Sequence, residues 1–302
     1  LSMPRAKGLF QRAIAQSGAA QHTSSLATAQ MVGRNLADKL GVAATMPSIA
    51  AVSLDRLVEA QAELGQELAV RPDPVRWGEV AANGMIFEPV VDGEVVPARP
   101  IERIIAGASA DVDLMIGTTT EEWRFFLVPT GAIDRVTEER LSTTARVMGL
   151  DIEQAFAVYR ASRAQATPGD LLGALSTDWF FRIPAIRLAE ARAKNGRSSY
   201  MYEFAWRSPL FDGRFGAVHA LEIGFVFDNL GRAGAMTLAG SQPPQALADV
   251  MHRAWVAFAT SGAPGWSPYD VRERTVMRFD GAGGTVVVDP AADERRLWDG
   301  IR

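Results

Sequence analysis

Cysteine is absent from the 302-residue sequence, and histidine occurs only three times. The missing thiols exclude a disulfide framework, a thiolate metal site and a cysteine nucleophile, and they favour a reducing compartment such as the cytoplasm. No uninterrupted apolar run reaches the ~18 residues of a membrane-spanning helix, and no secretory signal sequence starts at Leu1. Position 1 is not methionine, so we expect the chain to begin inside a longer polypeptide.

Neither sign of charge predominates. The 31 Lys and Arg residues against 35 Asp and Glu residues give a net charge of −4, and the basic residues are scattered. We therefore predict no nucleic-acid-binding surface. With 48% hydrophobic and 22% charged residues, the chain can bury a large core, and its length suits one large α/β domain or two smaller ones.

His219 is the first candidate for chemistry. It follows Gly216 and small residues, which is typical of a loop, and it precedes an apolar run at residues 223–227 that would anchor the loop to a core. Functional residues concentrate on loops held by rigid scaffolds, and histidine titrates near neutral pH. A lone histidine on a loop is nevertheless more often structural than catalytic, so a catalytic role for His219 needs support from a second stretch of the sequence.

That second stretch is an apolar run at residues 112–118, which predicts a buried strand of a parallel sheet. Functional groups in open α/β sheets lie just beyond the carboxyl ends of strands. Glu121 and Glu122 lie there, followed by Phe125 and Phe126. Adjacent glutamates usually form the solvated start of a helix, and we interpret Glu121 in this way. Glu122 is a candidate because of its position.

Seven stretches, in this order along the chain, match a known family: GLFQRAIAQSG (8–18), FEPVVDG (87–93), VDLMIGTTTEEWRFF (112–126), STDWFFRIP (176–184), YMYEF (200–204), GAVHALEIGFVF (216–227) and AWVAFATSGAPGW (254–266). Taken together, they resemble the C-terminal part of a type-B carboxylesterase, the α/β-hydrolase family that includes cholinesterases and para-nitrobenzyl esterases.

The resemblance implies an α/β-hydrolase fold: the C-terminal portion of a mostly parallel central sheet, with an inserted helical layer and a C-terminal β-hairpin. It implies that residues 1–302 form part of one domain, in which 1–131 carry the acidic residue, 132–196 the helical insertion and 197–302 the histidine.

The resemblance assigns catalytic roles to Glu122 and His219. Glu122 takes the place of the acidic member of the catalytic triad, and Trp123 stands where the family has glycine. His219 takes the place of the catalytic histidine, and Ala220 stands where glycine is usual. The order of the acidic residue before the histidine is that of α/β-hydrolases.

Four further residues match family positions. Ser17 and Asp178 match residues that lie behind the triad and hydrogen-bond around it. Phe125 and Phe126 match residues that often line the substrate pocket, although they also suit ordinary core aromatics. The implied substrate is a small-molecule ester, and no cofactor or metal is implied.

The nucleophile of the family is missing. It is a serine in Gly-x-Ser-x-Gly, and this pattern does not occur; the nearest match, residues 107–111, ends in Asp111. By the family's spacing the serine would lie about ten residues before Leu1. We therefore expect the N-terminal half of the same enzyme to complete the fold, and the isolated chain to be inactive. A nicked half, the ordered part of a longer protein and a truncated relative stay open as origins.

Two alternative functions, from classes other than ester hydrolases that use serine, are also considered. One is a catalytically inactive esterase-like binding or scaffold domain, against which the retention of both Glu122 and His219 argues. The other is a metal hydrolase that uses His219, Glu222 and Asp228, but three single ligands without a second histidine make a poor zinc or manganese site. The residue in the nucleophile position of the complete polypeptide distinguishes an esterase from a scaffold.

Periodicity and capping residues predict the remaining elements. Helices are predicted at 26–40 with Ser24 as the cap, 54–64 with Ser53 as the cap, 101–106, 137–148, 152–161, 167–175, 184–194 and 247–260; a strand at 200–204; a loop at 228–245; and a hairpin of 275–279 and 285–288 around a turn at 280–284.

Overall fold

The computed structural model describes residues 1–281 and 283–301 of the protein. The strands are β1 (Arg12–Gln16), β2 (Ser24–Ser25), β3 (Val90–Val91), β4 (Asp113–Thr119), β5 (Ser199–Phe204), β6 (Thr275–Asp280) and β7 (Gly283–Val288). The α-helices are α1 (Leu26–Leu40), α2 (Met46–Ala50), α3 (Leu54–Val70), α4 (Pro74–Trp77), α5 (Val80–Asn83), α6 (Pro100–Ile105), α7 (Arg124–Leu127), α8 (Glu138–Val147), α9 (Ile152–Ala161), α10 (Pro168–Thr177), α11 (Ile183–Lys194), α12 (Ile223–Val226), α13 (Ala233–Ala239), α14 (Gln245–Ser261) and α15 (Ala292–Arg296).

The chain forms two compact units. The helical unit contains residues 2–5 and 21–103, and the sheet unit contains residue 1, residues 6–20 and the described residues from 104 onward. The expected division into 1–131, 132–196 and 197–302 within one domain stays a prediction. No helix among residues 1–281 and 283–301 is long and apolar enough to cross a membrane.

The helical unit packs α1 against α3 around a small core of Val32, Leu64, Leu68, Trp77 and Val80. The cap of α1 was predicted one residue too early, because Ser24 pairs with Val90 in β2 and its hydroxyl donates to Glu88. Ser25 instead caps the helix, accepting from the Thr28 N–H. Ser53 caps α3 as predicted, and this helix runs on to Val70 because Leu68 is also buried.

The sheet unit is built on a five-stranded sheet in the order β1-β4-β5-β6-β7. The first four strands are parallel, and β6 and β7 form an antiparallel hairpin. Ala282, in the predicted hairpin turn, lies outside the described residues. The register places Gln16 beside Gly117 and Gly117 beside Tyr202. The carboxyl ends of three parallel strands therefore meet at one edge, and the expected mostly parallel sheet is confirmed.

Helices α8 to α11 form the predicted helical segment, with one irregularity. Between α10 and α11 the residues Asp178–Arg182 make a π-helical turn, a feature that occurs frequently at functional sites. The predicted loop at 228–245 was wrong in part, because Ala233–Ala239 form α13. Of the residues that suggested a loop, Gly234 lies within this short helix, Gly240 ends it, and Pro243 and Pro244 follow it.

The main core lies in the sheet unit. Tyr202 and Phe204 of β5 pack with Phe225 of α12 and with Trp255 and Phe258 of α14, and all five side chains are buried. Each fully buried side chain of this size stabilises the fold by roughly 1.5–3 kcal/mol relative to exposure. This core supports the loop after β4 and the loop before α12, which carry the candidate site.

Candidate active site

Glu122 lies in the loop after β4 and is fully buried. Its Oε1 accepts a hydrogen bond from the N–H of Thr119 at 2.7 Å and from the hydroxyl of Ser17 at 2.5 Å. Ser17 directly follows β1, and its N–H donates to the carbonyl of Gly117 in β4. Because β1 and β4 are neighbours in the sheet, their ends bring these two residues together. The Ser17 hydroxyl thus lies against the Glu122 carboxylate, and its role behind a triad stays a prediction.

His219 faces the other oxygen of the same carboxylate. Its Nδ1 lies 2.7 Å from Oε2 of Glu122, and its backbone N–H donates to the Glu122 carbonyl at 3.3 Å. The Glu122 side chain is inaccessible, whereas 31% of the His219 side chain is exposed. Nδ1 is therefore engaged, and Nε2 is the ring nitrogen that remains for another group. The structure brings together the two residues that the sequence singled out, 97 positions apart.

The surroundings of His219 favour its protonated form. Burial is the largest single influence and lowers the pKa of the imidazole. The hydrogen bond and charge of Glu122, together with the charge of Glu222, outweigh burial, so the net effect raises the pKa above its ordinary value of 6.5. A carboxylate within hydrogen-bond distance has this effect because it stabilises the imidazolium.

Three phenylalanine rings surround His219. The ring centroids of Phe125, Phe126 and Phe181 lie 6.2, 5.9 and 5.0 Å from that of His219. Phe125 also packs against the main core, whereas Phe126 is 44% exposed. Phe125 and Phe126 thus lie beside the site, and their role in a substrate pocket stays a prediction. Phe181 was missed, because it comes from the π-helical turn, which helical periodicity does not reveal.

Trp123 occupies the position at which the family has glycine. Its ring stacks on Phe180 with centroids 4.4 Å apart and planes 15° apart, and it lies 4.8 Å from the ring of Phe126. Its backbone N–H donates to Oγ1 of Thr177 at 3.1 Å, a bond that glycine could also make. The stacking of the indole on Phe180 joins the loop after β4 to the turn at Asp178–Arg182, a contact that glycine could not make.

Asp178 is buried, but its hydrogen bonds lead away from the pair. Arg182 donates to both of its oxygens, at 2.6 and 2.7 Å, and the Tyr159 hydroxyl donates to one of them. The expectation that Asp178 hydrogen-bonds around Glu122 and His219 is therefore corrected. The reason is the π-helical turn, in which Asp178 pairs with the arginine four residues later and braces the turn that carries Phe181.

Glu121 was interpreted as a solvated helix start, and the structure corrects this as well. Its carboxylate pairs with Arg124 at 3.1 Å and with Arg207, and it accepts from the N–H of Ala217 at 2.9 Å. Gly216 has φ +76°, and a Cβ there would lie 2.4 Å from the Glu121 carboxylate. Glu121 thus fastens the stretch just before His219 to the loop after β4.

Glu222 is a second buried carboxyl at this site, and only 1% of it is exposed. Its Oε1 accepts from Nε2 of Gln16 at 3.0 Å, while its Oε2 has no hydrogen-bond partner among the described residues. Burial, followed by the charge of Glu122, raises the pKa of Glu222 to about 7. Sequence reasoning considered Glu222 only as a metal ligand, and its partner Gln16 lies 206 positions away.

The side chains of the metal-hydrolase alternative do not form a site. Within residues 1–281 and 283–301, no group of three or more His, Cys, Asp or Glu residues is arranged to hold a metal ion. Oδ1 of Asp228 instead accepts from Gln245 at 2.6 Å, and Glu222 faces Gln16.

Known proteins resemble the chain over nearly all of its length. The sequence model of the carboxylesterase family matches residues 1–285. The para-nitrobenzyl esterase of Bacillus subtilis (strain 168) is 29% identical over 98% of this chain and 58% of its own length. Phenmedipham hydrolase of Pseudarthrobacter oxydans is 28% identical over 97% of this chain and 57% of its own length. The chain therefore spans somewhat less than two thirds of these relatives.

The fold agrees with this relationship. The crystal structure of a Geobacillus stearothermophilus carboxylesterase at pH 6.2 superposes with a TM-score of 0.81 and 29% identity, covering 98% of this chain and 60% of that chain. The predicted α/β-hydrolase fold is confirmed. A family match over residues 1–285, with this sheet and this order of Glu122 and His219, leads to one conclusion: the chain belongs to the carboxylesterase family.

Proposed function

We propose that this chain supplies the acid–base pair of a serine-type carboxylic ester hydrolase, with His219 as the general base and Glu122 as its acidic partner. The observation that carries the proposal is the 2.7 Å contact between Nδ1 of His219 and Oε2 of Glu122. The buried carboxylate is fixed on its other oxygen by Ser17 and Thr119, so it presents Oε2 to the imidazole without needing to move.

The chemistry follows from this arrangement. A serine hydroxyl is a weak nucleophile until a neighbouring base takes its proton. Nε2 of His219 accepts that proton as the serine oxygen bonds to the ester carbonyl, and it then gives the proton to the departing alcohol. In the second half, Nε2 takes a proton from the water that attacks the acyl-enzyme, and it returns this proton to the serine oxygen as the acid is released. Glu122 accepts the Nδ1–H throughout, which fixes the tautomer and stabilises the imidazolium.

The serine itself is proposed to come from polypeptide outside residues 1–302. Gly-x-Ser-x-Gly does not occur in the sequence, and the hydroxyl of Ser17 is already donated to Glu122. The same outside polypeptide would supply the oxyanion donors. On this proposal residues 1–302 alone do not turn over esters. The coverage of 57–60% of the relatives' lengths supports it.

The proposed substrate is a small-molecule ester with an apolar group. The rings of Phe125, Phe126 and Phe181 surround the proposed base, and ligand sites are lined mainly by apolar and aromatic side chains with few polar groups. An apolar acyl or alcohol group would pack against these rings while its carbonyl faces Nε2 of His219.

The test is His219→Ala in the complete polypeptide that contains this chain, with His252→Ala as the matched control. His252 lies on α14, and its Nδ1 contacts the Val226 carbonyl, so it has no part in the proposed chemistry. We expect His219→Ala to lower kcat on a para-nitrophenyl ester by at least about 10³-fold, and the control to stay within about threefold. Near-normal turnover by a folded His219→Ala protein would overturn the proposal.

A further inference from the structure

Two buried carboxyls, those of Glu122 and Glu222, are held by consecutive residues where β1 ends. Gln16, the last residue of β1, donates to Oε1 of Glu222 at 3.0 Å, and the next residue, Ser17, donates to Oε1 of Glu122 at 2.5 Å. Consecutive residues thus hold both carboxyls, one from the loop after β4 and one from the loop that carries His219. Two carboxylates so placed repel one another, and a shared site of this kind favours keeping a proton on one of them.

The hydrogen-bond donors decide which carboxyl keeps the proton. Glu122 faces Ser17, the N–H of Thr119 and Nδ1 of His219, a set that suits a charged carboxylate. Glu222 faces one donor, from Gln16, and its Oε2 is buried without a partner among the described residues. A buried charged oxygen without a donor is costly, whereas a carboxylic acid has a hydrogen of its own to donate.

The orientation of Gln16 is fixed from behind. Nε1 of Trp255 on α14 donates to Oε1 of Gln16 at 3.1 Å. Because an indole N–H can only donate, this contact requires the oxygen of Gln16 to face Trp255 and its NH₂ group to face Glu222. Trp255, a buried residue of the main core, therefore holds the NH₂ group of Gln16 in position to donate to Glu222.

Tyr202 reaches the same group across β4. A Cβ on Gly117 would collide with two ring carbons of Tyr202, so this ring lies against Gly117, where a side chain would leave no room for it. Gly117 pairs in register with Gln16 of β1, so the Tyr202 ring extends from β5 over β4 toward β1. The Tyr202 hydroxyl is buried without a partner among the described residues. Burial, and next the charge of Glu222, raise the pKa of this phenol, so Tyr202 stays neutral.

We propose that Glu222 is a positioning residue whose ionisation is coupled to that of His219, with Gln16 and Tyr202 forming its buried polar surroundings. As a carboxylic acid, Glu222 leaves the imidazole neutral and ready to act as a base. As a carboxylate, it adds to Glu122 in stabilising the imidazolium. The titratable groups that act on Glu222 are Glu122, His219 and Tyr202, and α14 contributes the uncharged Trp255.

The experiment is an NMR titration of the histidine rings in the complete polypeptide that contains this chain. Wild type is compared with Glu222→Gln, which keeps the shape of the side chain and removes its charge. We expect the titration midpoint of His219 to fall by roughly 0.5–1 pH unit. An unchanged His219 midpoint in the folded variant would overturn the inference, since a purely structural Glu222 would not move it.

A second measurement needs no variant at Glu222. In the wild-type protein the ring signals of His219 should follow a curve with two inflections, because coupled groups titrate in two macroscopic steps. A single one-proton step over the whole pH range would contradict the coupling. The inference rests on the proposed role of His219, but the titration does not require turnover. A failure here therefore differs from a failure of the esterase proposal, which the His219→Ala variant reports.

Discussion

The hydroxyl of Ser17 donates to Oε1 of Glu122 across 2.5 Å, so the residue that directly follows β1 fixes the carboxylate that follows β4. Ser17 has φ +55°, a conformation that few residues other than glycine adopt. The chain thus accepts local backbone strain at the point where this hydroxyl is aimed. The position of the Glu122–His219 pair depends on the pairing of β1 with β4.

Removing this hydroxyl tests how firmly Glu122 is fixed. Ser17→Ala leaves Oε1 of the buried carboxylate with the Thr119 N–H as its donor, and a hydrogen bond to a charged group contributes about 1.5–3 kcal/mol. We expect the free energy of unfolding to fall by that amount in urea denaturation. Thr260→Ala removes an exposed hydroxyl from α14 and should change it by less than about 0.5 kcal/mol. Equal effects of the two substitutions would contradict the prediction.

Glu121 and Glu122 are adjacent, and they should respond differently to the same substitution. In Glu122→Gln the partner of Nδ1 loses its charge, and we expect kcat/KM of the complete polypeptide to fall by about 10²–10⁴-fold. Glu121→Gln weakens the pairing with Arg124 and Arg207, so it should lower the unfolding midpoint and leave kcat/KM within about tenfold. Steady-state kinetics and denaturation of both variants separate these outcomes. A greater loss of turnover in Glu121→Gln would place the acidic role one residue earlier.

The sequence predicted the elements whose signals are local. The apolar run gave β4, Ser53 gave the start of α3, and the order of Glu122 before His219 gave the pair. These features depend on neighbouring residues or on a family pattern. They can therefore be predicted without knowledge of the tertiary packing.

The parts that the sequence did not predict depend on tertiary contacts. Phe181 lies 5.0 Å from His219 because of a π-helical turn, and a search for the 3.6-residue period does not detect such a turn. Glu222 is a charged residue type that is rarely buried, and its partner Gln16 is distant in sequence. Asp178 pairs with Arg182 of the same turn, a contact that the sequence alone did not single out.

The pH dependence of turnover follows from the raised pKa of His219. Burial lowers this pKa, but Glu122 and then Glu222 raise it by more than burial lowers it, so the net midpoint lies above 6.5. The base must be neutral to accept a proton, so turnover falls as the pH is lowered through this midpoint. We expect kcat/KM for a para-nitrophenyl ester to show an acid limb with its midpoint above 6.5. A limb centred well below 6.5 would contradict the stabilisation of the imidazolium that the structure indicates.

Substitutions of Phe126 and Phe180 can distinguish an effect on substrate binding from an effect on folding. Phe126 is 44% exposed and lies 5.9 Å from the ring of His219. Phe180 is 5% exposed and stacks on Trp123. Phe126→Ala opens space beside the proposed base, so we expect the ratio of kcat/KM for a bulky ester to that for an acetate ester to change by about tenfold, with less than about 1 kcal/mol lost in stability.

Phe180→Ala is the matched control for that substitution. It removes a buried ring, and we expect a loss of about 3–5 kcal/mol in the free energy of unfolding. Its ratio of activities on the two esters should stay near the wild-type value in whatever fraction remains folded, because Phe180 lies behind Trp123 rather than beside His219. If the Phe126→Ala ratio equals that of wild type, Phe126 is an ordinary surface aromatic. The pocket is then lined by Phe125 and Phe181 without it.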